Sequence, residues 1–273
     1  MPTPPTPRPW RPAPLVATGL ALHAGALATV LAAPRLWPWA LGVAVADHAV
    51  MATAGMLPRC SWLGPTLVRL PASEDSATVA LTFDDGPDPE VTPRVLDLLA
   101  QRGLQATFFV IGELAQRHPE ILRRMVAEGH RVENHTWCHP NTFGFYGLHR
   151  LGREIDRTQE VVAKITGRTP IYFRAPAGIR SPLLDLALTR RGLILAAWTR
   201  RGFDTMDSDP DRVYRRLVQD LHPGNILLLH DGRCATTAEG SPVVLEILPR
   251  LLDALETAGL RGAPLPDETP FPE

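Results

Sequence analysis

The chain has 273 residues, 45% of them hydrophobic, with 28 basic and 29 acidic side chains and a formal net charge of −1. That length suits one large domain or two small ones around a real core, and the charge balance excludes the clustered basic excess that a nucleic-acid partner requires. Cys60, Cys138 and Cys234 lie far apart with no C-x-x-C pair, which excludes a disulfide framework or a thiolate zinc site as the organising principle.

The charges are unevenly spread. Arg8, Arg11, Arg35 and Asp47 are the only four in the first 57 positions. Residues 1–14 carry a proline at nearly every other position and read as a disordered, extended tail. Leu15 to Ala33 then runs 19 residues without a formal charge, close to the length that crosses a bilayer core. Pro34-Arg35-Leu36-Trp37-Pro38-Trp39 interrupts it, because two prolines forbid a continuous helix and paired tryptophans favour the membrane–water interface. A second apolar run, Ala40 to Leu57, carries Asp47 and His48 mid-span. Residues 15–57 are therefore expected to form a membrane anchor of one or two helices, in a membrane of the bacterial inner type. A helical hairpin, one span followed by an interfacial helix, and a cleaved signal peptide all remain open at this point. Arg8 and Arg11 favour a cytoplasmic N-terminus; a hairpin then returns the body to the same side, and a single crossing puts it outside.

From Pro71 onward short apolar runs alternate with amphipathic stretches. The β-branched run Ala77–Phe83 predicts a first strand, and Thr92–Arg102, stopped by Gly103, a first helix. Strands are expected at Ala106–Ile111, His130–Asn134, Tyr172–Arg174, Leu193–Trp198 and Ile226–Leu229. Helices are expected at Glu113–Glu128, Leu148–Thr166, Pro182–Arg191, Asp211–Leu221 and Val243–Ala258. This βα alternation points to an α/β fold on a parallel sheet, closed or doubly wound. Residues 263–273 read as a disordered tail.

The polar residues gather at strand ends. Asp84-Asp85 follow the first strand, His135 and His139 the third, Arg174 ends the fourth, Asp204 follows the fifth, and His230-Asp231 end the sixth. In a βα barrel those ends converge on the face where active sites are built. His135 and His139, four apart, can aim two imidazoles at one point, and Asp85 supplies an anionic third ligand while leaving positions open for chemistry. Adjacent carboxylates at a strand end point in different directions, so Asp84 is free to act as a general base. An H-E-x-x-H protease is disfavoured because Thr136 follows His135.

Thr82-Phe83-Asp84-Asp85-Gly86-Pro87, His135-Thr136-x-x-His139-Pro140, Arg174-Ala175-Pro176-Ala177-Gly178 and Leu228-Leu229-His230-Asp231 occur in that order. Together they resemble the successive motifs of the polysaccharide deacetylase family, the NodB-homology or family-4 carbohydrate esterase group, over about residues 77–262. The resemblance implies an irregular (β/α)7-type barrel and a hydrolase that removes N-acetyl groups from amino sugars. It implies Asp84 as base, and Asp85, His135 and His139 as ligands of a divalent metal, usually zinc, sometimes cobalt or another ion. Arg174 would pair with Asp84, the Ala177 N–H would help hold the oxyanion, His230 would be the general acid, and Leu228 would line the acetyl pocket. Trp137, between the ligands, is a candidate sugar platform or a packed indole, and Glu133-Asn134 a candidate support for a ligand imidazole.

One motif departs from the family. Where the family has an Asp to orient the catalytic His, this chain has Arg201, and Asp204 sits at the second acidic position. Asp204 is therefore expected to support His230, while Arg200-Arg201 either meet a substrate phosphate or form a surface pair. The anchor points to an N-acetylated glycan or lipid-linked saccharide as substrate. A deformylase or other amide hydrolase on a lipid-linked amino sugar is the alternative, with a non-catalytic membrane-bound glycan-binding protein behind it.

Overall fold

The structure, a computed structural model, describes residues 9–71 and 77–267. It opens with two helices, α1 (Pro14–Ala32) and α2 (Trp37–Met56), joined by a 3-10 turn at Pro34–Leu36. The body follows as β1 (Thr78–Asp84), α3 (Thr92–Ala100), β2 (Thr107–Val110), α4 (Gly112–Arg117), α5 (Pro119–Ala127) and β3 (Arg131–Asn134). Next come α6 (Leu148–Thr166), β4 (Tyr172–Phe173), α7 (Leu184–Thr189), β5 (Ile194–Leu195) and β6 (Arg200–Arg201). The chain closes with α8 (Pro210–Val218), β7 (Ile226–His230), α9 (Val243–Thr257) and β8 (Arg261–Ala263).

Every strand pairing is parallel, in the order β5-β4-β3-β2-β1-β7-β6, with β8 beside the start of β1. β5 and β6 stand at opposite ends of that order although only residues 196–199 separate them, so the sheet curls on itself. Leu67 bridges to Ala196: its N–H donates to Leu195 O and its carbonyl accepts from Ala197 N, both at 2.8 Å. The result is the irregular α/β barrel that the motifs implied.

Alternation along the strands sorts the core into two layers. On β1, Val79, Leu81 and Phe83 face outward and pack with α3, α5 and α9 residues; on β7, Leu227 and Leu229 do the same. Ala80, Ile226 and Leu228 face inward with Phe109, Tyr172 and Trp198. The inward row on β1 continues to Thr82 and Asp84, and on β7 to His230, so the polar ends of two central strands surface on the same inner face.

Three expectations are corrected. The helix expected over Glu113–Glu128 is two, because Pro119 lacks an amide to continue the first and instead opens the second. The strands β6 and β8 carry too few residues to show a hydrophobic period. And the tail expected at 263–273 begins too early: Leu265 is 1% exposed in the inner cluster, and its N–H donates to Thr107 Oγ1 at 2.9 Å. Residues 1–8 and 268–273 of the two expected tails lie outside the described residues. Within 9–14, the Trp10 indole donates to Asp185 Oδ2 at 2.8 Å and Ala13 is buried.

The two leading helices, with mean hydropathy 1.8 over Pro14–Ala32 and 1.2 over Pro34–Met56, are long and apolar enough to cross a membrane. Leu20, Leu27, Leu31, Leu41 and Val45 point away from the protein, while Asp47 is buried against α1. Gly19 makes that approach possible, since a Cβ there would lie 2.0 Å from Met51 Cε and 2.9 Å from Asp47 Oδ2. His23 Nδ1 stands 3.6 Å from the same carboxylate oxygen. At the open end of the hairpin the Arg180 guanidinium donates to the carbonyls of Ala54, Leu57 and Cys60, and Leu15 N donates to Trp62 O. Both helix ends thus meet the barrel.

Candidate active site

β1 and β7 run in register, with Asp84 opposite His230 and Thr82 opposite Leu228. Asp84 Oδ1 accepts from Arg174 Nη1 at 2.7 Å, and the same nitrogen lies 2.9 Å from Thr82 Oγ1. Arg174 is fully buried, and its other end donates to the Ala197 carbonyl at 2.9 Å, so the guanidinium spans the barrel interior from β1 to the segment after β5. Burial lowers its pKa and the Asp84 charge and hydrogen bond counter that. Each nitrogen of the buried guanidinium finds an acceptor, which offsets the cost of burying its charge.

Asp85 leaves the strand with φ 72°, which swings its carboxylate away from Asp84. Thr136 and His139 also sit at positive φ, 68° and 50°. Non-glycine residues in this region cost on the order of 1–3 kcal/mol each and persist only where the surroundings hold them. Here Glu154 of α6 accepts from Trp137 N and Cys138 N, Asn134 Oδ1 accepts from Thr136 N, and Thr136 Oγ1 accepts from His139 N. The His135–His139 segment is therefore a clamped loop, not a helical turn. Around Asp85 the backbone is equally tight: a Cβ on Gly232 would lie 2.2 Å from the Asp85 carbonyl oxygen, and one on Gly86 2.1 Å from Asp231 Oδ2.

The Asp85 Oδ1 atom stands 3.4 Å from His135 Nε2 and 3.2 Å from His139 Nε2. It is buried and has no hydrogen-bond partner. His135 Nδ1 donates to the Arg174 carbonyl at 2.8 Å, which orients the ring with Nε2 toward Asp85. Burial would raise the Asp85 pKa, but the close His135, His139 and His230 rings hold it well below the usual carboxylate range. Burial and the His135 charge push His139 down to about 4, so its ring is neutral at neutral pH. An orphaned carboxylate oxygen facing the Nε2 atoms of two imidazoles fits a divalent cation. One contact runs the other way: Arg233 Nη1 lies 2.7 Å from His139 Nδ1. A guanidinium can only donate, so engaging a cation through Nε2 requires His139 to move its proton to Nδ1 and Arg233 to withdraw.

Asp204 is fully buried and accepts twice from one residue: Oδ1 from His230 Nδ1 at 2.7 Å and Oδ2 from His230 N at 2.8 Å. Burial alone would lower the His230 pKa. The Asp204 charge and hydrogen bond, with the charges of Asp84 and Asp85, override it and push the imidazole up to about 9. Next to it, burial pushes the Asp231 carboxyl up to about 7 against the Thr92 hydroxyl that donates to it at 2.6 Å.

The structure thus gathers Asp84, Asp85, His135, His139, Arg174, Asp204 and His230 at one end of the barrel. Leu228 lies one inward row below His230, and Ala177 sits exposed at φ 52° in the turn after Arg174. Trp137 does not match the sugar-platform reading: the Arg157 guanidinium lies 3.9 Å over its ring, and its edge fills the space a Cβ on Gly112 would need. Glu133 and Asn134 do not support an imidazole either. Glu133 accepts from Ile171 N and Tyr172 N, and the Asn134 amide donates to Ile155 O. Sequence reasoning missed Glu154 and Arg233, since a lone charge on a helix or in a loop carries no pattern.

The sequence profile of the polysaccharide deacetylase family matches residues 72–193. A chitooligosaccharide deacetylase of Bradyrhizobium is 36% identical over 195 residues, covering 69% of this chain and 89% of that protein. A peptidoglycan-N-acetylglucosamine deacetylase of Bacillus cereus is 32% identical over 207 residues, covering 76% and 73%. Among solved structures, the crystal structure of a peptidoglycan N-acetylglucosamine deacetylase in complex with a hydroxamic acid superposes with a TM-score of 0.66 at 31% identity, covering 74% of this chain and 91% of that one.

Proposed function

The chain belongs to the polysaccharide deacetylase family, and we propose that it hydrolyses the N-acetyl group of an acetamido sugar presented at a membrane. The observation that carries the chemistry is the buried, unpartnered Asp85 Oδ1 between His135 and His139, beside a paired Asp84. Asp85, His135 and His139 would hold a divalent metal, zinc in our reading, which would supply Lewis acidity to the acetyl carbonyl and the attacking water. Asp84, kept oriented by Arg174, takes the proton from that water. His230, kept protonated by Asp204, gives a proton to the departing amine nitrogen. In this reading the Ala177 N–H steadies the developing oxyanion, and Leu228 closes the acetyl pocket with an apolar wall. The relatives named for chitooligosaccharide and peptidoglycan substrates support the acetamido sugar.

The hairpin supports the membrane. In sequence, Arg8 and Arg11 precede the hairpin and Arg59 follows it, against Arg35 between its helices, which by the positive-inside rule supports a barrel on the cytoplasmic face. A substrate held at that face is a lipid-linked saccharide. The test is acetate release by the full chain in detergent, loaded with zinc, from N-acetylglucosamine oligomers and from lipid-linked N-acetylglucosamine. Asp84→Asn is expected to lose about 10³-fold in rate with its zinc content retained; equal acetate release from both proteins would remove Asp84 as the base.

A further inference from the structure

Arg200 and Arg201 are neighbours with opposite surroundings. Arg200 points outward and donates to Asp220 Oδ2 at 2.9 Å. Arg201 pairs in register with Leu228, which in turn pairs with Thr82. Residues at one register level of a parallel sheet point to the same face, so Arg201 faces the barrel interior, about 6.6 Å along the strand direction from the row of Asp84 and His230.

Among the described residues the Arg201 guanidinium has no hydrogen bond and no ion pair, and its Nε is buried without a partner. The carboxylates whose charges reach it are Asp204 and Asp84, and both are already engaged, by His230 and Arg174. What holds it is aromatic: its guanidinium carbon lies 4.3 Å from the Phe203 ring centroid and 5.3 Å from that of Trp198. Phe203 takes φ 64°, a costly conformation for a bulky residue, in the loop that sets its ring against that guanidinium. A half-buried guanidinium that is rigidly stacked, partly desolvated and left without an anion is a costly arrangement unless an anion arrives from outside.

We infer that Arg201 is the anion-recognition residue of the substrate site, taking a carboxylate or phosphate carried on or next to the acetamido sugar. This rests on the deacetylase reading above and narrows it to acidic acetamido sugars. Two sources share that chemistry: a lactyl carboxylate on the sugar, as in N-acetylmuramic acid, and a glycosyl phosphodiester, as in a lipid-linked saccharide. Arginine suits either because its planar fork meets two oxygens at once.

The test uses the zinc-loaded full chain in nanodiscs with three sugars: neutral N-acetylglucosamine oligomers, a muramic-acid oligomer, and N-acetylglucosamine 1-phosphodiester. In wild type, kcat/KM for one acidic sugar is expected to exceed that for the neutral one, and the acidic sugar preferred identifies the source. Arg201→Gln is expected to shrink that preference about 30-fold, mainly through KM, and Arg201→Lys to restore part of it. A preference that survives Arg201→Gln unchanged, or a fall equal for all three sugars, overturns the proposal. Binding keeps the proposal testable without turnover. In the Asp84→Asn background, calorimetry should show a Kd for the preferred acidic sugar about 30-fold weaker with Arg201→Gln. Equal Kd values overturn the anion site, whereas absence of turnover in wild type with that Kd difference intact overturns only the deacetylase reading.

Discussion

The hairpin and the barrel are built to opposite rules. In the barrel, Leu81, Phe83, Leu227 and Leu229 are buried, and Asp84 and Asp204 are closed in pairs with Arg174 and His230. In the hairpin, Leu20, Leu27 and Leu31 face outward while Asp47 is 5% exposed against Gly19 and His23. Helices whose apolar side chains face away from the protein and whose one carboxylate faces inward are matched to lipid rather than to water. The contrast teaches that the two regions bury opposite kinds of side chain, the pattern on which the proposed membrane setting rests.

Four substitutions distinguish the two regions. The largest effect belongs to the barrel: His135→Ala should abolish zinc binding and lower acetate release by 10³-fold or more, about 4 kcal/mol, read by metal analysis beside activity. Next, Leu27→Asp places a charge on a residue that is 62% exposed. In a water-facing helix it would be neutral; in a bilayer it should cost about 2.5–3.5 kcal/mol of insertion. Membrane retention measured by flotation should fall for Leu27→Asp and stay level for Met206→Asp on the barrel, itself 80% exposed. If both behave alike, the two regions share one solvent.

Third, Asp204→Asn should lower kcat about 10- to 100-fold, roughly 1.4–2.7 kcal/mol. It should also move the alkaline limb of the pH–rate profile. His230 is raised to about 9 in the folded protein, so activity needing its proton persists at neutral pH and falls as pH passes that value. The same sign holds for stability: the Asp204–His230 pair is fully stabilising below the unfolded histidine value of about 6.5 and is lost as pH rises through about 9. In Asp204→Asn the largest opposing charge is gone, leaving only Asp84 and Asp85 against burial, and the limb should move down from about 9. An unmoved limb would detach Asp204 from His230. The smallest effect is at the seam: Trp10→Phe removes the donor to Asp185 and should cost about 1 kcal/mol in thermal unfolding, with no change in zinc content.

The site was largely legible in the sequence because each chemical residue sits next to a strand whose pattern is strong. ATVALTF ends at Asp84 and ILLLH at His230, so strand and chemistry identify each other. Asp204 was legible only as a lone acid in a glycine-containing loop, and its double contact with His230 depends on how that loop crosses β7. β6 was invisible: two arginines carry no hydrophobic alternation, and only the parallel pairing with β7 turns one outward and the other inward. Trp137 misled because proximity in sequence to two ligands says nothing about which side of a tight loop the ring takes. For the hairpin, the prolines and length announced the turn, whereas the docking of both helix ends through Arg180 and Trp62 is a long-range fact with no local signal.

In the proposed function the barrel serves a substrate held in the membrane beside it. The most direct measurement compares kcat/KM of the zinc-loaded full chain in nanodiscs on one acetamido sugar presented two ways, lipid-linked in the same disc and free in solution. A preference of tenfold or more for the lipid-linked form is expected. Equal values, with Asp84→Asn inactive on both, would show a deacetylase whose hairpin has no part in its choice of substrate.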